Sequence, residues 1–350
     1  MIQGTIKSAK EYYATQTDSS SSLKLFAQDR RKYYKKYYLS EQVEEEDTQT
    51  RAAITGSLVD CLLFEPEKFD ERFFQSSLDK LPTGKMLDFC NALVNISLAA
   101  IDEEGSVTRS FEDMATEART IAQFEWKLPA ILDKFIGQNP ELYYKENKEV
   151  KSKGLTVITL DDYNNANRVI EELKTNEFTA PIINLVNSDR YIVYKQLQIE
   201  DYQTDGLNLK SMIDLIHIDR KAKTIQIYDL KCTFSVEGFL WDYYLKRLSY
   251  IQAYLYKKAC EELKKRLNLN DFVVLEPAFI VCDSIGYYQP LVYTLDSDDI
   301  SDAYLGFEYK GRQYKGVKEI ISELIWAKEQ NQWRISKKNY EKRGFINIKS

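Results

Sequence analysis

The sequence predicts an α/β (α+β) fold in which a mixed central sheet, flanked by helices, follows a large helical N-terminal part. Three observations lead to this expectation. The 350 residues are 44% hydrophobic and 29% charged, which is typical of a globular chain with one or two domains. Up to about residue 180, the apolar residues recur mostly at helical spacing. From residue 182 onwards, runs of β-branched and aromatic residues separated by polar turns indicate strands.

Residues 1–50 are predicted to form a basic, tyrosine-rich helical arm. Leu23–Leu39 (LKLFAQDRRKYYKKYYL) can form one helix, and the acidic run Glu41–Asp47 is predicted to be a solvated loop. The stretch from Lys24 to Tyr38 contains six basic residues and one acidic residue, so it carries a charge of +5.

Residues 51–180 are predicted to be a helical part. Ala52–Phe64 is an apolar helix candidate, and Leu78–Leu142 is mostly helical with prolines as punctuation. A further helix begins after Thr159, a candidate N-cap, with Asp162 at the capping-box position.

Residues 181–330 are predicted to form a core that contains the sheet. The predicted strands are Ile182–Val186, Tyr191–Ile199, Leu209–Ile218, Thr224–Cys232, Phe272–Cys282 and Gln289–Tyr293. Phe239–Leu267 and Lys315–Gln330 are predicted helices.

Residues 331–350 are predicted to be a basic tail. From Lys328 to Ser350 there are seven basic and two acidic residues, whereas the whole chain has a net charge of −6. A protein that coats DNA without sequence preference usually has a basic surface overall. Any contact with a polyanion is therefore expected to be local, and the Lys24–Tyr38 stretch and this tail are the candidates.

Several classes of protein are excluded by simple patterns. No apolar run approaches the roughly 18 residues needed to cross a bilayer, and the first residues lack the apolar region of a signal peptide. Five scattered cysteines argue against a zinc ribbon or an iron–sulfur cluster and for free thiols in a reducing cytoplasm. No G-x-x-x-x-G-K-[ST] loop is present, so no ATP-driven motor is expected.

Two acidic residues fall opposite each other in a predicted hairpin. A register that pairs Ile216 with Ile227 across the polar turn 219–223 keeps the isoleucines of both strands on one buried face. The same register pairs Asp214 with Asp229, whose Cβ atoms would lie about 5 Å apart. Two adjacent carboxylates at the end of an apolar face repel each other and lose hydration.

A divalent cation between Asp214 and Asp229 would remove both penalties. Mg²⁺ prefers oxygen ligands and often uses one or two carboxylates, water and a substrate phosphate. Lys231 points to the same face as Asp229 and could stabilise the charge on a scissile phosphate. An ordinary ion pair at a strand end remains the alternative interpretation of this D-x-K pattern.

Three further polar residues lie in apolar helical patterns. Gln252 and Tyr256 are four residues apart and share a helix face, and a glutamine on such a stripe needs a partner. Asp60 lies within the apolar helix Ala52–Phe64, where an acidic side chain is costly unless it is paired or binds a metal. A salt bridge for Asp60 and a backbone hydrogen bond for Gln252 remain open as alternatives.

The ordered motifs G-S-x-x-D, I-D, D-L-K and Q-x-x-x-Y resemble the PD-(D/E)XK nuclease superfamily in its RecB-like branch. The likeness is greatest to the RecE-type exodeoxyribonucleases of phages and prophages, and includes an L-L-x-E-P-E-x-F segment at Leu62–Phe69. It covers roughly residues 20 to 300. The resemblance implies a restriction-endonuclease-like core and a Mg²⁺-dependent deoxyribonuclease, for which Mn²⁺ is a possible substitute.

The resemblance also implies roles for individual residues. Asp214 and Asp229 would bind the metal together with the Leu230 carbonyl, and Lys231 would support the attacking water and the transition state. Gln252 and Tyr256 would orient Lys231 or the DNA backbone. Asp60 stands where the family often has a histidine, and an aspartate can also ligate Mg²⁺.

One strand position departs from the family pattern, and the single histidine lies outside that pattern. RecB-like families often have a glutamate on the strand before the first acid, and here Gln196, Gln198 and Glu200 are candidates without a clear fit. The only histidine, His217, points away from Asp214 and is expected to be packed or exposed rather than a ligand.

The predicted function is an exonuclease that resects double-stranded DNA ends, 5′ to 3′ by family likeness, for phage-type recombination in a bacterial or phage-infected cytoplasm. A single-strand annealing protein is an expected partner, and a homo-oligomer is compatible with the resemblance. Two alternatives stay open: a catalytically inactive DNA-binding subunit with the same fold, and a structure-specific endonuclease of the same superfamily.

Overall fold

The computed structural model describes residues 11–12, 15–39, 51–78, 80–102 and 104–346. The predicted acidic loop Glu41–Asp47 lies outside these residues. The helices are α1 Ser20–Gln28, α2 Arg30–Tyr37, α3 Arg51–Phe64, α4 Phe69–Arg72, α5 Gly84–Ala99, α6 Phe111–Ile121, α7 Leu128–Phe135, α8 Asn139–Ser152, α9 Leu160–Thr175, α10 Ala180–Ile183, α11 Ser249–Arg266, α12 Ser297–Leu305, α13 Val317–Gln330 and α14 Lys337–Glu341. The strands are β1 Phe73–Gln75, β2 Thr156–Ile158, β3 Tyr191–Thr204, β4 Leu207–Asp219, β5 Thr224–Thr233, β6 Val273–Val274, β7 Ala278–Asp283, β8 Leu291–Thr294, β9 Gly306–Tyr309 and β10 Arg312–Lys315.

The chain divides into two compact units. The first unit comprises residues 1–53 and 171–350, and the second comprises residues 54–170. Boundaries at residues 50, 180 and 330 stay predictions. Among the described residues, no helix has both the length and the apolar character needed to span a membrane.

The second unit is mostly helical and has its own apolar core, contributed largely by α5 to α8. β1 and β2 form a short parallel pair within it. The Thr159 hydroxyl accepts a hydrogen bond from the Asp162 amide at 3.0 Å, and the Asp162 carboxylate accepts one from the Thr159 amide at 2.9 Å. The capping box predicted at the start of α9 is therefore confirmed.

The first unit is built on a mixed sheet with strand order β3-β4-β5-β7-β8, and β6 pairs with β5. The β3/β4, β4/β5 and β7/β8 pairs are antiparallel, whereas β5 and β7 are parallel. The predicted α/β fold with a mixed central sheet flanked by helices is confirmed. The isoleucines of β4 and β5 are fully buried in the core that also contains α11.

The N-terminal arm is anchored to the sheet of the first unit. Asp18 forms a bridge with Leu209 of β4, and its carboxylate accepts hydrogen bonds from the Tyr33 hydroxyl at 2.8 Å and the Lys328 ammonium at 2.5 Å. The buried Lys210 side chain donates to the Thr15 carbonyl at 3.0 Å. These contacts place α1 and α2 against the rest of the first unit.

Two predicted helices are broken in the structure. Leu23–Leu39 forms α1 and α2, because the Asp29 carboxylate accepts a hydrogen bond from the Lys32 amide at 3.0 Å and caps a new helix. Phe239–Leu267 splits into a π-helix, Leu240–Leu245, and α11, with Leu248 in the left-handed region at φ 55° between them.

Two predicted strands also differ. Ile182–Val186 is wrong as a strand, since Pro181 lies in the first turn of the short helix α10, a position where its fixed φ favours a helix. Phe272–Cys282 forms β6 and β7 rather than one strand; Pro277, which has no amide donor, lies in the gap between them.

Candidate active site

The β4/β5 ladder ends next to the predicted site. β4 and β5 pair from Asp219↔Thr224 to Leu215↔Tyr228, which includes Ile216↔Ile227 as predicted. From Tyr228 onwards, the opposite edge of β5 pairs in parallel with β7, so β5 lies between β4 and β7 in the sheet. Asp214 and Asp229 thus lie one residue beyond the last paired position of the β4/β5 ladder, and they are not directly opposed partners within it.

The backbone amide of Leu230 joins the two acidic residues. It donates a hydrogen bond to Asp214 Oδ2 at 2.8 Å, and Leu230 directly follows Asp229 in the chain. The first predicted acid is therefore held against the strand that carries the second. Because the donor belongs to the main chain, this contact does not depend on the side chain at position 230.

Lys231 meets Asp229 on the face predicted for both residues. Its ammonium forms an ion pair with Asp229 Oδ2 and lies 3.5 Å from the Leu230 carbonyl oxygen. Asp229 is 1% exposed, whereas the lysine side chain is 19% exposed. The carboxylate is therefore buried, and the ammonium group lies closer to solvent.

Helix α11 supplies the third side of the cluster. The Gln252 side-chain amide donates to Asp229 Oδ1 at 2.8 Å and to the Tyr256 hydroxyl at 2.7 Å. The Tyr256 hydroxyl donates in turn to the Met212 carbonyl at 2.7 Å. Burial, followed by the charges of Asp229 and Asp214, raises the pKa of Tyr256 well above its usual value, which keeps this hydroxyl protonated.

Lys24 of α1 completes the network, and the sequence reasoning did not single it out. Its ammonium donates to Gln252 Oε1 at 2.9 Å. Burial and the nearby cations Lys231 and Arg247 lower the pKa of Lys24 to about 7, although Asp229 acts in the opposite direction. A signal was available, since Lys24 lies four residues after Ser20 and three before Ala27, and these small residues share its helix face.

Gln196 is the candidate on β3 that lies nearest to the cluster. It falls between the paired positions Lys195↔Leu215 and Leu197↔Ile213, opposite Asp214. Its side-chain amide donates to Asp214 Oδ1 at 3.4 Å, and its backbone has φ 46°, which is rare for a residue other than glycine. A glutamine therefore contacts the first acid from the preceding strand.

Two of the residues considered from the sequence have other partners. Asp60 belongs to the second unit, where its carboxylate is 3.8 Å from the guanidinium of Arg72. His217 is buried on the other face of β4 and packs its ring edge-on against Tyr228. Its burial and this ring contact agree with the expectation of a packed histidine.

The donor set fits a hard divalent cation. Asp229 Oδ2 is buried and, among the described residues, accepts no hydrogen bond, with only the Lys231 ammonium beside it. Within the same residues, no group of three or more histidine, cysteine or acidic side chains is arranged to hold a metal. Two carboxylates with a backbone carbonyl suit Mg²⁺, which keeps several waters and takes further oxygens from a substrate phosphate.

Comparison with known proteins identifies a family model that matches most of this chain. The family model described as "PDDEXK-like domain of unknown function (DUF3799)" matches residues 19–333. No curated protein matches. Among solved structures, the chain is similar to a crystal structure from Eubacterium rectale described as a "Putative exonuclease", with 13% identity, a TM-score of 0.41, and coverage of 86% of this chain and 82% of that one. That structural likeness is too low to support an argument about activity.

Proposed function

Because the chain belongs to the family of PDDEXK-like domains, a nuclease fold, we propose that it is a metal-dependent DNA exonuclease. It would hydrolyse phosphodiester bonds at the ends of duplex DNA, in the 5′ to 3′ direction. Removal of one strand leaves the other strand single-stranded, and exposed single strands are substrates for annealing. A single-strand annealing protein is therefore the proposed partner, and phage-type recombination is the proposed process.

The observation that carries the proposal is the convergence of Asp214, Asp229 and Lys231 where β5 leaves β4. Asp214 is held by the Leu230 amide, and Asp229 bears the Lys231 ammonium on one oxygen and the Gln252 amide on the other. An ordinary structural ion pair would not require a second acid or a glutamine donor beside it. This arrangement instead supports a site that binds a cation and a phosphate.

Asp214, Asp229 and the Leu230 carbonyl would hold Mg²⁺, with Mn²⁺ as a substitute. When bound, the ion would polarise the scissile phosphate and lower the pKa of a water molecule. Asp60 is proposed as a further ligand on the basis of its position in the sequence motif alone.

The side chains have separate tasks in this proposal. Lys231 stabilises the negative charge that develops on the phosphate and orients the attacking water. Gln252 fixes the orientation of the Asp229 carboxylate through one oxygen, leaving the other towards Lys231. Tyr256 fixes Gln252 and is itself fixed by the Met212 carbonyl, so the protein orients its charged groups before substrate arrives.

The decisive experiment uses linear duplex DNA labelled at either the 5′ or the 3′ end. We expect degradation with Mg²⁺, no degradation with a chelator, and early release of the 5′ label. Closed circular duplex should stay intact. Cleavage of closed circles would indicate an endonuclease rather than an exonuclease. If neither DNA substrate is degraded with Mg²⁺ or Mn²⁺, the protein would be a DNA-binding subunit without catalytic activity.

A further inference from the structure

A groove in the first unit lies between α2 and the segment that follows α13. Its volume is about 1030 Å³. It thus joins the two basic segments that the sequence marks as separate candidates for DNA contact. Its lining residues include Gln28, Arg31 and Tyr34 from the N-terminal side and Trp333 and Arg334 from the C-terminal side.

The two walls of this groove are tied together by Arg30. Its guanidinium forms an ion pair with Glu323 of α13 at 2.8 Å and also donates to the Ile335 carbonyl. The stacked rings of Tyr34 and Trp333, with centroids 5.1 Å apart, form a second link. The groove is therefore held by contacts across it and needs little rearrangement to receive a ligand.

The charge of the lining is positive although the whole chain is acidic. Arg31 and Arg334 are exposed, and neither has an ion pair or a hydrogen-bonded side-chain partner among the described residues. Lys35 also lines the groove. Asp29 is the one lining carboxylate, and it is already used as the cap of α2. Such a surface attracts a polyanion locally.

Tyr34 lines the groove, and the ring of Tyr38 lies next to it, outside the lining. Tyr34 stacks on Tyr38 with centroids 5.8 Å apart, and Tyr38 is 47% exposed. Trp333 is 7% exposed, so it supports the tyrosines from behind. An exposed ring beside unpaired guanidinium groups is the combination that proteins use to bind single-stranded nucleic acid, through base stacking and phosphate contacts.

Helix α1 contributes one residue to the groove and another to the candidate active site. Lys24 of this helix reaches Gln252 in the catalytic cluster, and Gln28 lines the groove. Residues four apart lie on one face of a helix, about 6 Å from each other along its axis. The groove therefore begins about one helical turn of α1 from a residue that contacts the catalytic cluster.

We propose that this groove binds a short single-stranded DNA segment next to the scissile phosphate. Arg31 and Arg334 contact its phosphates, and Tyr38 stacks on an unpaired base. The inference rests on the proposed nuclease function and deepens it, because it assigns a binding site for the separated strand. The contacts reach the backbone and the faces of bases, so binding is independent of sequence.

The test measures binding of a fluorescent oligothymidylate to the full chain with chelator, over a range of salt concentrations. We expect Arg31→Ala/Arg334→Ala to weaken binding about ten-fold or more. For each phosphate that an arginine no longer neutralises, the slope of log affinity against log salt should become shallower by about 0.7. Tyr38→Ala should weaken binding without changing that slope. The matched control is Arg220→Ala/Lys221→Ala, which removes two exposed charges from the turn between β4 and β5.

The outcomes separate this inference from the proposed function. If wild-type protein degrades duplex ends but the Arg31/Arg334 variant binds oligothymidylate like wild type, the groove inference is wrong and the nuclease stands. If the variant loses binding while wild type shows no metal-dependent cleavage, the groove stands and the nuclease is wrong. Equal weakening in the control pair would also overturn the groove, since it would indicate an effect of net charge alone. The thermal unfolding midpoints of the Arg31→Ala/Arg334→Ala and Arg220→Ala/Lys221→Ala variants should match that of the wild-type protein.

Discussion

The Lys24 ammonium donates a hydrogen bond to the side-chain carbonyl of Gln252 from 228 positions away in the chain. The other end of the same amide donates to Asp229 and Tyr256. A lysine can only donate and a carboxylate can only accept, so these two partners set the orientation of the glutamine amide. We therefore expect Lys24 to act as a positioning residue for Asp229 through Gln252.

Replacing Lys24 tests this role. We expect Lys24→Met to lower kcat about 10- to 100-fold, because a charge-assisted hydrogen bond is worth about 1.5–3 kcal/mol and its loss frees the Gln252 amide to rotate. Lys24→Arg keeps the donor and should recover most of the rate. Lys221→Met, at an exposed turn, is the matched control and should leave the rate unchanged.

The pH dependence of Lys24 gives a second readout that a purely structural role would not produce. Since its pKa is lowered to about 7, its charge is present below pH 7 and is lost as the pH rises through that value. Arginine stays charged throughout. The ratio of Lys24→Arg to wild-type activity should therefore increase from pH 6 to pH 8. A flat ratio would rule out a functional charge at this position.

The proposed catalytic groups predict loss of cleavage without loss of binding. Asp229→Asn keeps the shape of the side chain and an acceptor for Gln252 but removes the negative charge, and Lys231→Ala removes the ammonium. Either change should reduce end degradation at least about 100-fold, as for other acid–base or electrostatic groups. Gel-shift titration should give near wild-type DNA affinity. Full activity in either variant would remove the site assignment.

Asp60 can be tested as a metal ligand independently of its ion pair. If it ligates Mg²⁺, Asp60→Asn should raise the Mg²⁺ concentration for half-maximal cleavage about ten-fold or more, with activity recovering at high Mg²⁺. Arg72→Met removes the same ion pair and spares the carboxylate. Such a partly exposed pair contributes little to stability. An equal shift in both variants would argue against ligation.

His217 predicts a loss of stability in mild acid. Burial lowers its pKa to about 4, and its Nε2 atom has no hydrogen-bond partner among the described residues. In the unfolded chain this imidazole becomes protonated near pH 6.5, whereas in the folded chain it stays neutral until about pH 4. The free energy of unfolding therefore falls as the pH drops through this window. The loss attributable to His217 is at most about 3 kcal/mol.

Urea unfolding of wild type and His217→Gln at pH 7 and pH 4.5 measures this contribution. Carboxylates also titrate in this range, so the informative quantity is the difference between the two proteins. The variant should lose less free energy of unfolding than wild type. Parallel losses would show that His217 is protonated equally in both states.

The sequence allowed the register of β4 and β5 to be predicted because a slip of one residue would turn every isoleucine to the wrong face. Ile216 pairs with Ile227 as expected. The end of the β4/β5 ladder at Tyr228 could not be predicted, since alternation within a strand carries no information about where its pairing with a neighbour stops. The break at Asp29 could have been predicted, because aspartate is one of the residues preferred at a helix N-cap.

Long-range contacts account for what the sequence did not reveal in the candidate site. Asp229, Lys231, Gln252 and Tyr256 were found because each lies at a recognisable spacing within its own element. Lys24 and Gln196 reach the cluster from separate elements, and their own local patterns give only a weak signal. The meeting of the two basic segments at one groove likewise depends on how α13 packs beside the N-terminal arm.

The first unit is discontinuous, which has a consequence for the order of events during biosynthesis. Its N-terminal part precedes residues 54–170, whereas its sheet and α11 follow them. At about 5–20 residues per second, the ribosome reaches Gln252 roughly 10 to 50 seconds after Lys24. The second unit can fold during that wait. A nascent chain therefore cannot assemble the candidate active site until most of the polypeptide has been made, and we expect truncated translation products to lack the proposed nuclease activity.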